Sequence, residues 1–286
     1  MNSFKSSKTF PDHINLANFI HLLYKKGASY NTVNVARSAV SAYLSSSDRE
    51  SLGKHPVVCR VVKGVFENRP ALPRYTEIWD INILLTHLSN IELNNNLKLL
   101  NLAMKTACLL LLSTGQRCQS IHGLKTKDIK FSDGKMTVCY SSLLKQSKPN
   151  YHLKPSVVSQ FEVQNLCPVR HVKCYIEKTE KLRSNDDKLF ITSIKPYTHI
   201  SKDTFARWIK VSLENAGIKD FGPHSVRSAS TSAAVDRIDV DKVLEAGGWS
   251  NVHTFAKFYR REKCSNATCT SATFSQTVLD SFMQKN

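Results

Sequence analysis

"GPHSVRSASTSAAVDRIDVDKVLEAGGWSNVHTFAKFY", residues 222–259, is the stretch on which the reading of the fold turns. Pro223 is placed to open a helix, and in that helix His224 and Arg227 are three apart. They therefore share a face near an N-terminus, where both can hold one anion. An apolar, helix-like run then ends at Gly247 and Gly248, after which Trp249 offers an indole N–H. "TFAKFY" reads as a short helix in which Phe255 and Phe258 share an apolar side, with Tyr259 about 100° further round. Tyr259 stands among Lys257, Arg260 and Arg261. It is either a core tyrosine beside chance cations or a hydroxyl set where a phosphate will come.

Two further groups lie upstream. In "STGQRC", Gly115 closes an apolar helix and Arg117 opens the next polar stretch, where a guanidinium can grip a phosphate with two parallel hydrogen bonds. In "LLKQSKP", Lys145 and Lys148 sit on or beside a hairpin able to lean over a groove. A solvated basic hairpin explains the two lysines equally well. His-x-x-Arg is also weak alone.

The chain has 286 residues with 40 Lys plus Arg against 23 Asp plus Glu, a net charge of +17, and 41% hydrophobic content. A field of that size argues for a polyanionic partner, nucleic acid first, and the apolar fraction supports a buried core. The apolar run "ACLLLL", Ala107 to Leu112, is far shorter than the roughly 20 residues that cross a bilayer. "MNSFKSSKTFPDH" has no apolar core of a secretory signal, so the eight cysteines are expected as thiols in a reducing compartment. Cys167, His171 and Cys174 lie close in sequence, but no Cys-x-x-Cys pair or fourth ligand completes a zinc site, and no metal is expected.

Periodicity organises the chain into two parts. Leu16, Phe19, Ile20 and Leu23 predict one helix, and Val33, Ala36, Val40, Tyr43 and Leu44 a second after the Ser29 cap. A third follows Pro56. "ENRPALPRY", with Pro70 and Pro73, breaks the pattern as a linker, giving a boundary near residue 73. Beyond it, Trp79, Ile83 and Leu84 predict a helix, and Leu99 to Leu112 another buried on several sides. Asp133-Gly134 between two alternating runs is a hairpin signal. A further strand or extended stretch is expected at "LLKQSKPNYHLKP", a short strand at "KLFIT", and a helix around "TFARWIKVSLENAG". The expected fold is mainly α with a small antiparallel β-sheet.

In this order, the motifs resemble the tyrosine recombinase, or phage integrase, family. "TGQRCQSIHGLKTKDI" is similar to that family's first arginine box, and residues 222–259 to its second, in the Gly-Gly-Trp form of Cre-type catalytic domains. "SLGKHPVVCRVVKGVFENRPALPRYTEIWD", "LLKQSKPNYHLKP" and "SKDTFARWIK" resemble the recombinases of eukaryotic DIRS-like retrotransposons. The resemblance implies a helical core-binding DNA-binding domain at residues 1–72, a catalytic domain at 73–264 and a tail at 265–286 with helix-like spacing of Phe274, Val278 and Phe282. That tail is expected to dock on a neighbouring subunit, with docking on its own domain as the alternative.

It also implies site-specific recombination or integration through a 3′-phosphotyrosyl intermediate. Arg117 and Arg227 would hold the nonbridging oxygens, His224 and Trp249 complete the cradle, Lys145 protonates the 5′ oxygen and Tyr259 attacks. The implied partner is double-stranded DNA, bound by a homo-tetramer on two duplexes, in the nucleus, with no metal or nucleotide cofactor. Two positions depart from the family pattern. Ser120 stands where many members carry an acid, leaving a hydroxyl or Gln119 to support Arg117, and Trp249 and Tyr259 are ten apart where nine is usual. A catalytically silent DNA-binding derivative and a type IB topoisomerase are the alternatives.

Overall fold

The structure is a computed structural model that describes residues 12–44, 51–71, 75, 77–145, 147, 149–150, 152–183, 187–249, 252, 255–256 and 262–263. The chain divides into two compact units, between Arg74 and Tyr75.

The first unit contains α1 (Asp12–Lys25), α2 (Tyr30–Leu44) and α3 (Pro56–Asn68). Ser29 begins α2 as its spacing predicts, the Thr32 amide donating to its hydroxyl at 3.2 Å. Pro56 occupies the first turn of α3, where a missing N–H costs nothing. Leu16, Ile20, Val33, Val58, Val62 and Val65 close a small core. Phe19, Tyr43 and Leu44 share the predicted apolar faces yet remain exposed. A unit of three short helices has too little interior to cover them all.

In the second unit β1 (Glu77–Ile78) leads into α4 (Ile81–Ser89), α5 (Leu99–Thr114) and α6 (Cys118–His122). Helix α5 is apolar nearly all round, with Leu102, Ala107, Cys108 and Leu110 inaccessible to solvent. Such a helix has to lie in the middle of its domain. Its neighbours are α7 (Pro168–Glu180), α8 (Lys202–Asn215) and α9 (Ser225–Val235), with α10 (Val240–Gly247) packed on α9.

The sheet is β2 (Ile129–Ser132), β3 (Lys135–Val138) and β4 (Ser156–Ser159), antiparallel in that order. Ser132 pairs with Lys135 across the Asp133-Gly134 turn, whose φ values of 44° and 72° are those a two-residue hairpin demands. β5 (Glu262–Lys263) pairs in parallel with β1, Glu262 opposite Glu77. The expected mainly helical fold with a small antiparallel sheet is what the chain adopts.

The short strand expected at "KLFIT" forms no ladder, and the stretch expected as strand or extended chain holds no strand among its described residues. "LLKQSKPNYHLKP" belongs to the loop between β3 and β4, and the strand is the "SVVS" that follows. Pro149 and Pro155 lack ladder donors, Asn150 has φ 65°, and Ser147 and His152 take up backbone groups that a ladder would use. "KLFIT" buries Leu189, Phe190 and Ile191 but makes only isolated bridges, Lys125 with Lys188 and Ile191 with His199. Its apolar run is core packing, not pairing. Trp79, predicted inside a helix, precedes α4, which Asp80 caps through the Asn82 amide at 3.1 Å.

Candidate active site

Arg117 is the N-cap residue of α6, reached through a left-handed turn at Gly115, φ 59°. The glycine is needed twice there, because a β-carbon would also stand 3.3 Å from Thr231 Cγ2 on α9. Arg117 is half-buried, and its carbonyl accepts the Ser120 and Ile121 amides at 2.9 and 3.2 Å. The next residue, Cys118, points its thiol at the Pro223 carbonyl, 3.6 Å away. That contact sets the start of α6 against the start of α9. Burial raises the Cys118 thiol to about 11, so it stays protonated and can donate.

His224 is the N-cap residue of α9 and is exposed. The loop that presents it is held from the residues on either side of β1. The Tyr75 hydroxyl accepts the Gly222 amide at 2.8 Å, and the Trp79 indole N–H donates to Ser225 Oγ at 2.9 Å. Neither Tyr75 nor Trp79 was singled out from sequence for this work. An aromatic just before a helix gives no signal of a partner about 146 residues away.

Arg227 lies one turn into α9 and is only 3% exposed. Small side chains around it, "SVRSASTS", let α9 sink into the domain. Thr231 and Ser230 return their hydroxyls to the Arg227 carbonyl at 2.7 and 3.2 Å. Two guanidinium donors meet backbone carbonyls, Nη1 at Gly115 (2.7 Å) and Nη2 at Gly247 (2.8 Å). The face of the Trp249 ring covers the guanidinium at 3.7 Å. These contacts offset the loss of hydration that burial of the cation entails.

The C-terminus of α10 closes this side. The four last carbonyls of a helix have no partner within it. Here Leu244 accepts the Trp249 amide and Glu245 the Gly248 amide, while Ala246 accepts Gln116 Nε2 at 2.7 Å and Gly247 accepts Arg227. The negative end of the helix dipole thus faces a buried arginine. Gly248 takes φ 70°, and Gly247 lies under the Trp249 ring, so each glycine of the pair has its own cause.

Lys145 is exposed on the β3–β4 loop. Ser147 Oγ accepts the Leu144 amide at 3.0 Å and bonds His152 Nδ1 at 2.9 Å, and His152 Nε2 engages the Tyr140 carbonyl. The root of the loop is Tyr140, whose phenol contacts Ser156 Oγ at 2.8 Å, with Thr114 and Arg227 close by. Burial pushes that phenol up to about 12. The loop is also tied to α10 by Lys154 Nζ to Glu245 Oε1 at 2.6 Å, which holds the Glu245 carboxyl below the usual range.

Arg117, His224, Arg227 and Trp249 are therefore drawn together by contacts of their own segments, with the Lys145 loop rooted beside them. Ser120 is buried and Gln119 exposed. Tyr259 and Lys148 lie outside the described residues, as does the tail at 265–286. Phe255 packs edge-on against Trp249 at 5.0 Å, and Glu262 is paired with Glu77.

A mainly helical domain with a three-stranded sheet, collecting two arginines and a histidine where helix termini meet, places the chain among the tyrosine recombinases. More narrowly, residues 83–265 match the phage integrase family, and the chain belongs to it. Among solved structures, XerH site-specific recombinase bound to palindromic difH substrate aligns with TM-score 0.62 at 18% identity, covering 88% of this chain and 69% of that one. The Tn1549 transposon integrase in complex with transposon right end DNA also aligns at 0.62, with 17% identity over 96% and 89% of the two chains. A lambda integrase dimer bound to a core site gives 0.52 at 14% identity, over 94% and 86%. No curated protein matches the chain in sequence.

Proposed function

We propose that this chain cleaves and rejoins double-stranded DNA through a covalent bond to Tyr259, serving site-specific recombination or integration. The observation that carries the reading is the convergence of Arg117, Arg227 and His224 at the starts of α6 and α9, fixed by the Cys118–Pro223 and Arg227–Gly115 contacts. Two guanidiniums and an imidazole there can neutralise the charge that grows on a phosphate in a pentavalent transition state. The Tyr259 oxygen attacks phosphorus, the bond to the 5′ oxygen breaks, and Lys145 supplies the proton to that oxygen. The phosphotyrosyl bond conserves the energy of the phosphodiester, so a second 5′-hydroxyl reverses the step. Incubation with a nicked DNA duplex should leave a protein–DNA adduct that survives denaturing detergent; absence of any adduct would favour a silent DNA-binding derivative.

The finer reading is a mobile element's recombinase, of the DIRS-like retrotransposon kind, acting in the nucleus as a homo-tetramer on two duplexes. Residues 1–72 then serve as the core-binding domain and 73–264 as the catalytic domain. The net charge of +17 supports DNA as partner, and no described helix is long and apolar enough to cross a membrane. DNA affinity should fall steeply with salt, by a log-log slope of about 0.9 per phosphate neutralised. Titration at several salt concentrations measures it, and a flat plot would exclude a phosphate-gripping mode.

Lys145 as proton donor makes a separate prediction. Lys145→Ala should slow cleavage by about 10² to 10⁴-fold, the usual range for losing a general acid. Replacing the bridging 5′ oxygen by sulfur gives a leaving group that needs no proton, and on that substrate Lys145→Ala should recover. Recovery of Lys148→Ala in its place would reverse the assignment.

A further inference from the structure

Gln116, the residue before Arg117, has no role in the motif reading, and its environment is unusual. It is 0% exposed. Its side-chain Nε2 donates to the Ala246 carbonyl at 2.7 Å, across 130 residues of chain. Because a backbone carbonyl only accepts, the NH₂ end must face Ala246, which fixes the orientation of the amide. The other end, Oε1, is buried without a hydrogen-bond partner. An apolar side chain of the same length would fill this space without stranding an acceptor, so the amide is not explained by packing.

What the amide does is join two segments that both touch the arginines. On one side lie Gly115, which accepts from Arg227, and Arg117 itself; on the other, Gly247, which also accepts from Arg227, and Trp249, which covers it. Gln116 to Ala246 and Arg227 to Gly247 are thus neighbouring cross-links between the same two stretches of backbone. A phosphate bound at Arg227 would draw on the same guanidinium nitrogens, Nη1 and Nη2, that hold Gly115 and Gly247. The Gln116 link does not involve that guanidinium, so it keeps the stretches in register when the arginine turns to its substrate.

We propose that Gln116 is a positioning residue of the cleavage centre, its buried amide holding the Arg117 turn at a fixed distance from the Ala246–Trp249 corner. The assignment rests on the strand-cleavage reading above. Small displacements of groups that orient a reacting phosphate lower rate by about 100-fold without touching the reacting atoms.

The test is the cleavage rate of Gln116→Met on a nicked duplex, with either a phosphodiester or an uncharged methylphosphonate at the scissile position. Methionine keeps the length and removes the donor. A methylphosphonate needs less neutralisation by arginine, so a misplaced arginine pair should matter less on it. Expected are about a 100-fold loss on the phosphodiester, a loss below about 10-fold on the methylphosphonate, and DNA affinity within about 2-fold of the parent. Gln116→Glu, which when ionised cannot donate to Ala246, should show the same asymmetry. Equal losses on both substrates, or no loss, overturn the positioning role. If neither variant folds, the amide serves the fold itself and the role is likewise overturned. A parent protein that forms no adduct on either substrate sinks the strand-cleavage reading, and the role of Gln116 with it. A parent that reacts while Gln116→Met matches it sinks this inference alone.

Discussion

Tyr259→Phe should bind DNA as the parent does and form no covalent adduct. The ring and its packing are kept, and only the oxygen that attacks phosphorus is removed. An ordinary phenol has a pKa of about 10, so its attack needs a proton acceptor and a phosphate already neutralised by Arg117, Arg227 and His224. Other tyrosines should be replaceable without losing the adduct. Tyr140 is a sharp control because its phenol feels the charge of Arg227. Its phenol is 5% exposed, bonded to Ser156 and raised by burial to about 12, a hydroxyl that neither reaches solvent nor ionises readily. Tyr140→Phe should keep the adduct and lose the phenol's contacts to Ser156 and Thr114, about 1 kcal/mol of stability each. Peptide mapping of the trapped complex decides between them, and a phosphonucleotide on any residue but Tyr259 would overturn the active-site reading.

The ten-residue interval from Trp249 bears on the same experiment. In the usual family spacing, Phe258 would occupy the nucleophile's register, and the enzyme would be dead. Phe255 packs on Trp249 and Glu262 pairs with Glu77, one before Tyr259 in sequence and one after it. The adduct reports whether those contacts bring Tyr259 into line.

Local chemistry made much of the fold legible. Ser29, Pro56, Gly115 and Asp133-Gly134 announce a cap, a first turn, a helix end and a hairpin, because each meets a backbone demand set within a few residues. The largely apolar α5 announced its own burial. "KLFIT" misled for the converse reason: a short apolar run says that its residues are covered but not by what, and here the cover is the helical core.

The site divides along the same line. Arg117, Lys145, His224, Arg227 and Trp249 stand out because their types and order carry chemistry. What joins them did not stand out. Gln116 meets Ala246, Trp79 meets Ser225 and Tyr75 meets Gly222, each across more than 100 residues, and these are ordinary residue types whose partners only the tertiary fold supplies. The supports proposed for Arg117 divide too. Gln119 is exposed, Ser120 is buried, and the buried amide in this turn belongs to Gln116.

Gly247→Ala should disable the centre although a methyl group carries no chemistry. A β-carbon at Gly247 would lie 1.8 Å from Cζ3 and 2.3 Å from Cε3 of Trp249, far inside contact distance. The indole cannot simply swing clear. Arg227 lies against its face at 3.7 Å, Phe255 meets it edge-on at 5.0 Å, and it is 9% exposed. Either the ring moves and uncovers Arg227, or the backbone moves and carries with it the Gly247 carbonyl that the guanidinium holds. Both routes displace Arg227, so cleavage should fall by at least about 100-fold, and overpacking should remove about 1–3 kcal/mol of stability. The neighbouring glycine gives the contrast. Gly248 is needed for its left-handed backbone, φ 70°, which asparagine also adopts, so Gly248→Asn should keep most of the activity. Adduct formation and melting temperature, measured for both variants, check the pair. Equal activity of Gly247→Ala and the parent would mean that the Trp249 ring does not hold Arg227 in the reacting enzyme.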